Sequence, residues 1–266
     1  MKIIPEFAPQ ESANGQKLDV SIIMPAYNEE KHIAHAIEAL EEELGRTPYS
    51  YEIIVVDDGS IDGTRREAEK VAKNPNVKIL GYARNMGKGH AIKYGVLKST
   101  GDIVMFLDSD TEINPGNIEQ YLLALKHADI VIASKRHPRS IVRQPAMRRL
   151  LSLTFNFLVR LMLGISVSDT QAGLKAFKGE KLKTLVPLLS VKKYAFDAEI
   201  LAIARLQKLK VVEMPVRIEL SARFSFKAVV RMLVDLLGIA YRLRVKRWYQ
   251  KNINKADASY SPLIKW

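Results

Sequence analysis

The sequence predicts an α/β fold, a doubly wound and mostly parallel sheet with helices on both faces. Three observations predict it. Apolar runs of strand length alternate with helical patterning through the first half of the chain, the arrangement of consecutive βαβ units. Several of these runs, Val20–Met24, Tyr51–Val56 and Ile103–Leu107 among them, are almost uninterrupted, as expected of strands covered on both faces. Three runs also lead into residues that carry chemistry, at Pro25–Glu29, Asp57–Ser60 and Asp108–Asp110, and open α/β sheets bind ligands outside the carboxyl ends of their strands.

In chain order, residues 1–17 are polar and irregular and read as a loose arm ahead of a domain over 18–222. Val20–Met24 is a strand stopped by Pro25. Asn28, Glu29 and Glu30 open a helix whose apolar positions Ile33, Ala36, Ile37, Leu40 and Leu44 keep helical spacing. Asparagine suits an N-cap, acids suit a first turn, and Gly45 suits the end. Tyr51–Val56 is the second strand, and Asp62, Gly63 and Thr64 lead into a helix to about Ala72. Val77–Leu80 is the third strand, followed by a Gly-rich turn and a helix from about His90 to Ser99. The strand over 103–107, a helix over 117–126 and a strand at Ile130–Ala133 complete the first half.

Beyond Ser134 the character changes. Lys135–Arg139 is a basic loop, Arg148 and Arg149 open an apolar helix to Leu163, and 164–173 is a turn region. Phe196–Gln207 reads as a helix and Val211–Leu220 as a strand, with Pro215 marking an edge or bulge. Residues 223–266 form an amphipathic helix, Phe226–Leu243, and a basic, aromatic tail.

The 266 residues, 47% hydrophobic and 26% charged, make a globular chain able to bury one substantial core. Cysteine is absent, which excludes disulfides and thiolate metal sites. No signal-peptide pattern opens the chain and no run of about 18 apolar residues occurs in it, so neither a leader nor a membrane span is expected. The net charge of +12 is unevenly placed: residues 1–134 carry 14 Lys+Arg against 21 Asp+Glu, while residues 135–266 carry 27 against 8. An acidic half joined to a half of charge +19 implies two kinds of partner. The basic half suits nucleic acid, an anionic membrane surface or a phosphorylated substrate.

Asp108 and Asp110 lie two apart at a strand end, so both side chains can turn to one point beyond the sheet. Carboxylates that close repel unless a cation sits between them, and a divalent metal that also holds a phosphate satisfies them; a solvated loop is the bland alternative. Asp57 and Asp58 suit a base or ribose hydroxyls, or a helix cap. Arg84–His90 invites comparison with a P-loop, but the spacing from Gly81 to Gly87 is one residue too long and no Ser or Thr follows Lys88. Its glycines before a helix still offer N–H groups to an anion, with Lys88 adding charge.

Four segments in this order, Met24–Glu29, Val55–Ser60, Asn85–Gly89 and Phe106–Asp110, resemble those of family 2 glycosyltransferases with a GT-A fold. Asp169–Phe177 and Ala195–Glu199 are similar to the dolichyl-phosphate glucosyltransferase branch, with dolichyl-phosphate mannose synthases as near relatives. The resemblance covers roughly residues 20–245 and implies inverting transfer of a hexose from a nucleotide sugar to a polyprenyl (dolichyl) phosphate, by a peripheral enzyme on the cytoplasmic membrane face. It favours UDP-glucose over GDP-mannose as donor. By resemblance, Pro25, Tyr27, Glu29 and Asp57, with Asp58 and Lys88 beside them, hold the nucleotide sugar. Asp108 and Asp110 hold Mg²⁺ or Mn²⁺ against the diphosphate, and Gln171 and Gly173 border the sugar, so that Asp108, Asp110 and Gln171 form the catalytic set. The acceptor phosphate falls to Lys135, Arg148, Ser152 and Arg223. Lys135 stands where the family usually has Arg, which brings in neighbouring Arg136.

Two segments suit a bilayer surface. Leu150–Ile165 is apolar nearly all round but too short to span, and Phe226–Leu243 has one apolar and one charged side. The tail through Trp248 and Tyr249 adds headgroup-level aromatics. For both segments, packing as core helices is the alternative. A lipid phosphate is already anionic and needs placement more than a base. A glycan hydroxyl acceptor would need a carboxylate base, with Asp169 or Asp197 as candidates. A basic nucleic-acid-binding module is the non-enzymatic alternative; it gives the four strand-end aspartates no role, so no nucleic acid is expected.

Overall fold

The computed structural model describes residues 18–220 and 226–259; the expected arm over 1–17, Arg223 and the last part of the tail lie outside the described residues. The strands are β1 (Val20–Ala26), β2 (Tyr51–Asp57), β3 (Val77–Gly81), β4 (Ile103–Leu107), β5 (Ile130–Ser134), β6 (Ile141–Arg143), β7 (Leu174–Lys178), β8 (Val211–Pro215) and β9 (Arg217–Glu219). The helices are α1 (Ile33–Gly45), α2 (Thr64–Val71), α3 (Lys88–Val96), α4 (Ile118–Ala124), α5 (Ala146–Leu163), α6 (Gly179–Leu185), α7 (Phe196–Leu206), α8 (Phe226–Ala240) and α9 (Trp248–Ser259), with a π-helical segment at Tyr241–Val245.

Seven strands form one sheet in the order β3-β2-β1-β4-β7-β5-β8, and β6 pairs with β9 in a small second sheet. All pairings in the large sheet are parallel except those of β7, which runs antiparallel to β4 and β5. The expected mostly parallel, doubly wound sheet is therefore what the chain forms. Alternate residues of β1 serve opposite cores. Ile23 belongs to the core shared with α3, α5, α7 and α8, whereas Ile22 and Met24 belong to the core shared with α1 and α4. This two-sided burial is why β1 reads as an unbroken apolar run.

Several local readings change. α1 begins at Ile33, not Asn28. Asn28 instead takes a left-handed conformation, φ 56°, and its side-chain carbonyl accepts from the Ile61 N–H, tying the β1 and β2 loops together. β7 follows the expected turn region over 164–173, in a stretch to which the sequence assigns no element; Lys175 hides it, being buried rather than solvated. The expected strand over 211–220 is split by Pro215 into β8 and β9. α8 turns Leu236 and Ile239 into the core beneath the sheet, with Leu243 and Tyr249 following from beyond it.

Candidate active site

The sheet order places the carboxyl ends of β2, β1 and β4 side by side, so their three loops share one edge. A cleft of about 630 Å³ opens there. Pro25, Tyr27, Glu29, Asp58, Lys88, Asp108 and Asp110 line it from the acidic half, and Lys135, Arg148, Ser152, Gln171 and Gly173 from the basic half. Of the sequence-derived candidates with described side chains, Asp57, Arg136 and the candidate base Asp169 are off this wall, while Asp197 is on it.

The loop after β4 is pinned by its backbone and by Ser109. The Asp108 N–H donates to the Gly173 carbonyl at 3.1 Å, and the Ser109 hydroxyl to the Pro25 carbonyl at 2.8 Å. Asp108 pairs with the Lys88 ammonium at 2.7 Å. Gly173 is required by close approach: a Cβ there would overlap the Asp108 carboxylate. Asp110 accepts from the Glu112 N–H at 3.1 Å across Thr111, whose φ of 59° is uncommon for a β-branched residue.

Burial, with Asp108 and Glu112 nearby, pushes the Asp110 pKa up to about 6. Burial, then the charges of Asp62, Asp108 and Glu112, also raises that of Glu29. Crowded carboxylates of this kind are relieved by a cation. Among the described residues no three acidic, His or Cys side chains converge to cage an ion. Two carboxylates on a cleft wall fit instead a hard divalent ion that completes its shell with water and substrate phosphates.

Lys88 is the first residue of α3. Burial works against its charge, but Asp108 and Asp197, the latter 3.7 Å away, outweigh it and raise its pKa. Gly87 before it has φ 102°, and a Cβ there would also collide with the Lys192 carbonyl. Asp58 builds this turn. Its carboxylate accepts from the Tyr82 hydroxyl at 2.7 Å, the Asn85 amide at 3.0 Å, and the N–H groups of Met86 and Gly87 at 2.8 Å. Asp57 is buried and accepts from the Ser60 N–H at 2.9 Å.

On the basic side, Lys135 pairs with the buried Asp169 at 2.8 Å. Burial alone would raise the Asp169 pKa, but Lys135 and hydrogen bonds hold it below the usual carboxylate range. Arg136 turns its guanidinium to the Ser168 and Ser152 carbonyls, at 2.6 and 3.2 Å. Arg148 and Ser152, one turn apart on α5, face the cleft, and Arg148 forms a two-bond fork with Glu112 at 3.0 and 3.1 Å.

Sequence reasoning missed Glu112, Gln144, Lys193 and Tyr194 on this wall. Nothing in their spacing marks the last three; Glu112 carried a signal as the next acid after Asp110. The Gln171 amide nitrogen and the Gln144 carboxamide oxygen are buried without hydrogen-bond partners. Such atoms are costly to leave unpaired, and a polar ligand or water in the cleft would satisfy them.

An acidic strand-end loop thus faces basic helix residues across one cleft at the carboxyl edge of the sheet, an arrangement suited to a glycosyltransferase. Residues 21–186 match the family model for glycosyl transferase family 2, and the chain belongs to that family. It is similar to the dolichyl-phosphate beta-glucosyltransferase of Homo sapiens, 32% identical over 258 residues covering 90% of this chain and 80% of that one. A dolichyl-phosphate beta-glucosyltransferase of Trichomonas vaginalis is 31% identical over 257 residues, 91% of this chain and 76% of its relative. With such relatives the chain is a hexosyltransferase. The glucosyl-3-phosphoglycerate synthase of Mycobacterium tuberculosis, solved with Mn²⁺, UDP-glucose and phosphoglyceric acid, shares the fold at a TM-score of 0.65 and 20% identity, over 86% of this chain and 82% of that one.

Proposed function

We propose that the chain transfers glucose from UDP-glucose to a polyprenyl phosphate of the dolichyl type, with inversion at the anomeric carbon. The observation that carries this reading is the two-signed cleft: Asp108 and Asp110 on one wall, Lys135, Arg148 and Ser152 on the other. The names of its relatives, dolichyl-phosphate beta-glucosyltransferases, support both the glucose and the acceptor, and so favour a glucosyl donor over GDP-mannose.

Pro25, Tyr27 and Glu29 border the nucleotide. Asp108 and Asp110 would hold Mg²⁺ or Mn²⁺, which when bound neutralises charge developing on the leaving nucleoside diphosphate. Lys88, at the start of α3, adds a fixed positive charge beside that diphosphate. The Gln171 amide, unpaired in the cleft, donates to a sugar oxygen. Arg148 and Lys135 place the acceptor phosphate, whose oxygen is already anionic, for attack on the face opposite the leaving group.

The carboxylates that a hydroxyl acceptor would need as base are committed elsewhere: Asp169 to Lys135 at 2.8 Å and Asp197 to Lys175 at 2.7 Å. That favours an acceptor that arrives ionised.

The acceptor's lipid calls for a membrane surface, and the reading keeps the enzyme peripheral on the cytoplasmic face. Among the described residues no helix is long and apolar enough to cross a membrane. α5 exposes Met147, Leu150, Leu153, Phe157 and Leu161, and α8, packed beside it, exposes Val230, Val234 and Leu237. Both stripes keep helical spacing, and an apolar face of this kind suits the plane of an interface.

The test is transfer of labelled sugar from UDP-glucose or GDP-mannose to dolichyl phosphate, with and without Mn²⁺. Metal-dependent labelling from UDP-glucose, lost in Asp110→Ala, is expected. No lipid labelling from any nucleotide sugar would end the proposal.

A further inference from the structure

Glu199 takes no part in the transfer described above, yet its carboxylate is fully buried and saturated with donors. Oε2 accepts from the N–H groups of Ser190 and Val191 at 3.0 and 2.8 Å. Oε1 accepts from the Ser190 hydroxyl at 2.6 Å and from the Tyr249 phenol at 2.5 Å. Tyr249, also fully buried, accepts in turn from Arg242 Nε at 3.0 Å, and Arg242 Nη2 lies 3.6 Å from the Glu199 carboxylate. A buried carboxylate is tolerated only while its donors are in place, so the groups of this network stand or fall together.

The donors come from two regions. One is the loop over 190–194, ahead of α7. Its Lys193 and Tyr194 line the cleft, and the Lys192 carbonyl accepts from the His90 N–H at 3.2 Å and abuts Gly87, next to Lys88. α7 then brings Asp197 to 3.7 Å from Lys88. The other region is the segment after α8, whose outer surface exposes Tyr241, Val245 and Trp248.

We propose that Tyr249 is a positioning residue for the transfer reaction. Gripping Glu199 together with Arg242, it fixes the 190–194 loop and with it the cleft wall around Lys88, Lys193 and Tyr194. The segment following α8 is thus part of the frame of the active site, in addition to offering an outer face to lipid. The activity arm of this inference rests on the transferase reading above; its structural arm does not.

The test uses the full chain with Tyr249→Phe, which keeps the buried ring and removes only the hydroxyl. Amide hydrogen exchange at Ser190 and Val191 is expected to accelerate about tenfold or more while β1 and β4 keep their protection. In the same preparation kcat for transfer falls by about 10- to 100-fold, with KM for the polyprenyl phosphate changed less than about threefold. Arg242→Met, which removes the cation that holds the phenol, gives the same pattern more weakly and serves if the first variant does not fold. Unchanged kcat despite a loosened loop overturns the proposal. So does a uniform loss of protection with normal kcat below the melting temperature, the behaviour of a mere core contact. If the wild type transfers to no lipid phosphate, the functional reading falls, and exchange confined to 190–194 or absent there still decides for or against Tyr249 as the residue that holds the loop.

Discussion

Lys175→Met tests the electrostatics beneath the site without touching the cleft. Lys175 on β7 is 1% exposed, with its ammonium 2.7 Å from Asp197 and 2.6 Å from the Ala172 carbonyl it donates to. Burial pulls its pKa below the usual lysine value in spite of Asp197. Methionine fills nearly the same volume, so the perturbation is the loss of charge and hydrogen bonds. Removing one partner of a buried pair typically costs about 3–5 kcal/mol, because the other charge is left uncompensated. Lys88, 3.7 Å from Asp197, offsets part of that, which sets the expectation near 3 kcal/mol at the lower end of this range. For a domain of this size that is a fall of about 6–12 °C in Tm. The exposed pair Arg65–Glu69, at 2.8 Å, provides the contrast: Arg65→Met should change stability by less than about 0.5 kcal/mol. Urea unfolding followed by circular dichroism measures both. Adding Asp197→Leu to Lys175→Met should recover most of the loss, since an apolar pair replaces the ionic one. A single variant within about 1 kcal/mol of wild type, or a double variant no better than the single, would refute the reasoning.

Three further outcomes follow from the cleft and its flanking helices. The folded pKa of Asp110, about 6, lies above the ordinary aspartate value of 3.8, so the native state binds the extra proton between those values and metal-free stability falls as pH rises from about 3.8 to about 6, levelling off above; Asp110→Asn should remove that dependence, raise Tm above pH 7 and abolish the Mn²⁺-induced shift. Arg148→Met should raise KM for the polyprenyl phosphate by about 10- to 100-fold, the loss of a charged hydrogen-bonding partner, with KM for UDP-glucose little changed in steady-state assays. The pair Phe157→Glu and Leu237→Glu should leave Tm within about 2 °C, as surface changes do, yet abolish co-sedimentation with vesicles containing anionic lipid.

What the sequence disclosed, and what it hid, divides along physical lines. β1, β2, β4 and β5 are legible because strands buried on both faces need unbroken apolar runs, and the residues just beyond them inherit a place at the ligand edge. β7 is not legible, because two of its five residues are lysines and a lysine is read as solvent-facing. Lys175 is in fact the cation of a buried pair whose partner, Asp197, comes 22 residues later. Asp58 and Arg136 show the same limit. Their residue types suit a ligand, but that Asp58 on the cleft wall also gathers four donors of its own chain, and that Arg136 turns to two carbonyls, depends on how the chain folds back, which spacing does not encode. For the C-terminal helices the sequence admits both core and membrane. The structure shows why both readings had grounds: Leu236 and Ile239 face inward while Val234 and Leu237 face out. Asn28 misled in a smaller way, since an asparagine before a helical run also suits a left-handed turn.

The reversed strand inside the sheet, β7, also bears on the order of assembly. β5, Ile130–Ser134, has as its two sheet neighbours β7, which ends at Lys178, and β8, which ends at Pro215. On the ribosome, β1 to β4 can pair as soon as they emerge, whereas β5 must wait for some 40 residues more, with both edges bare and five apolar or small side chains uncovered. A chain stalled between residues 135 and 174 would thus present a ready template for wrong pairing. That exposure is a burden placed on synthesis by topology and not by the chemistry at the strand ends.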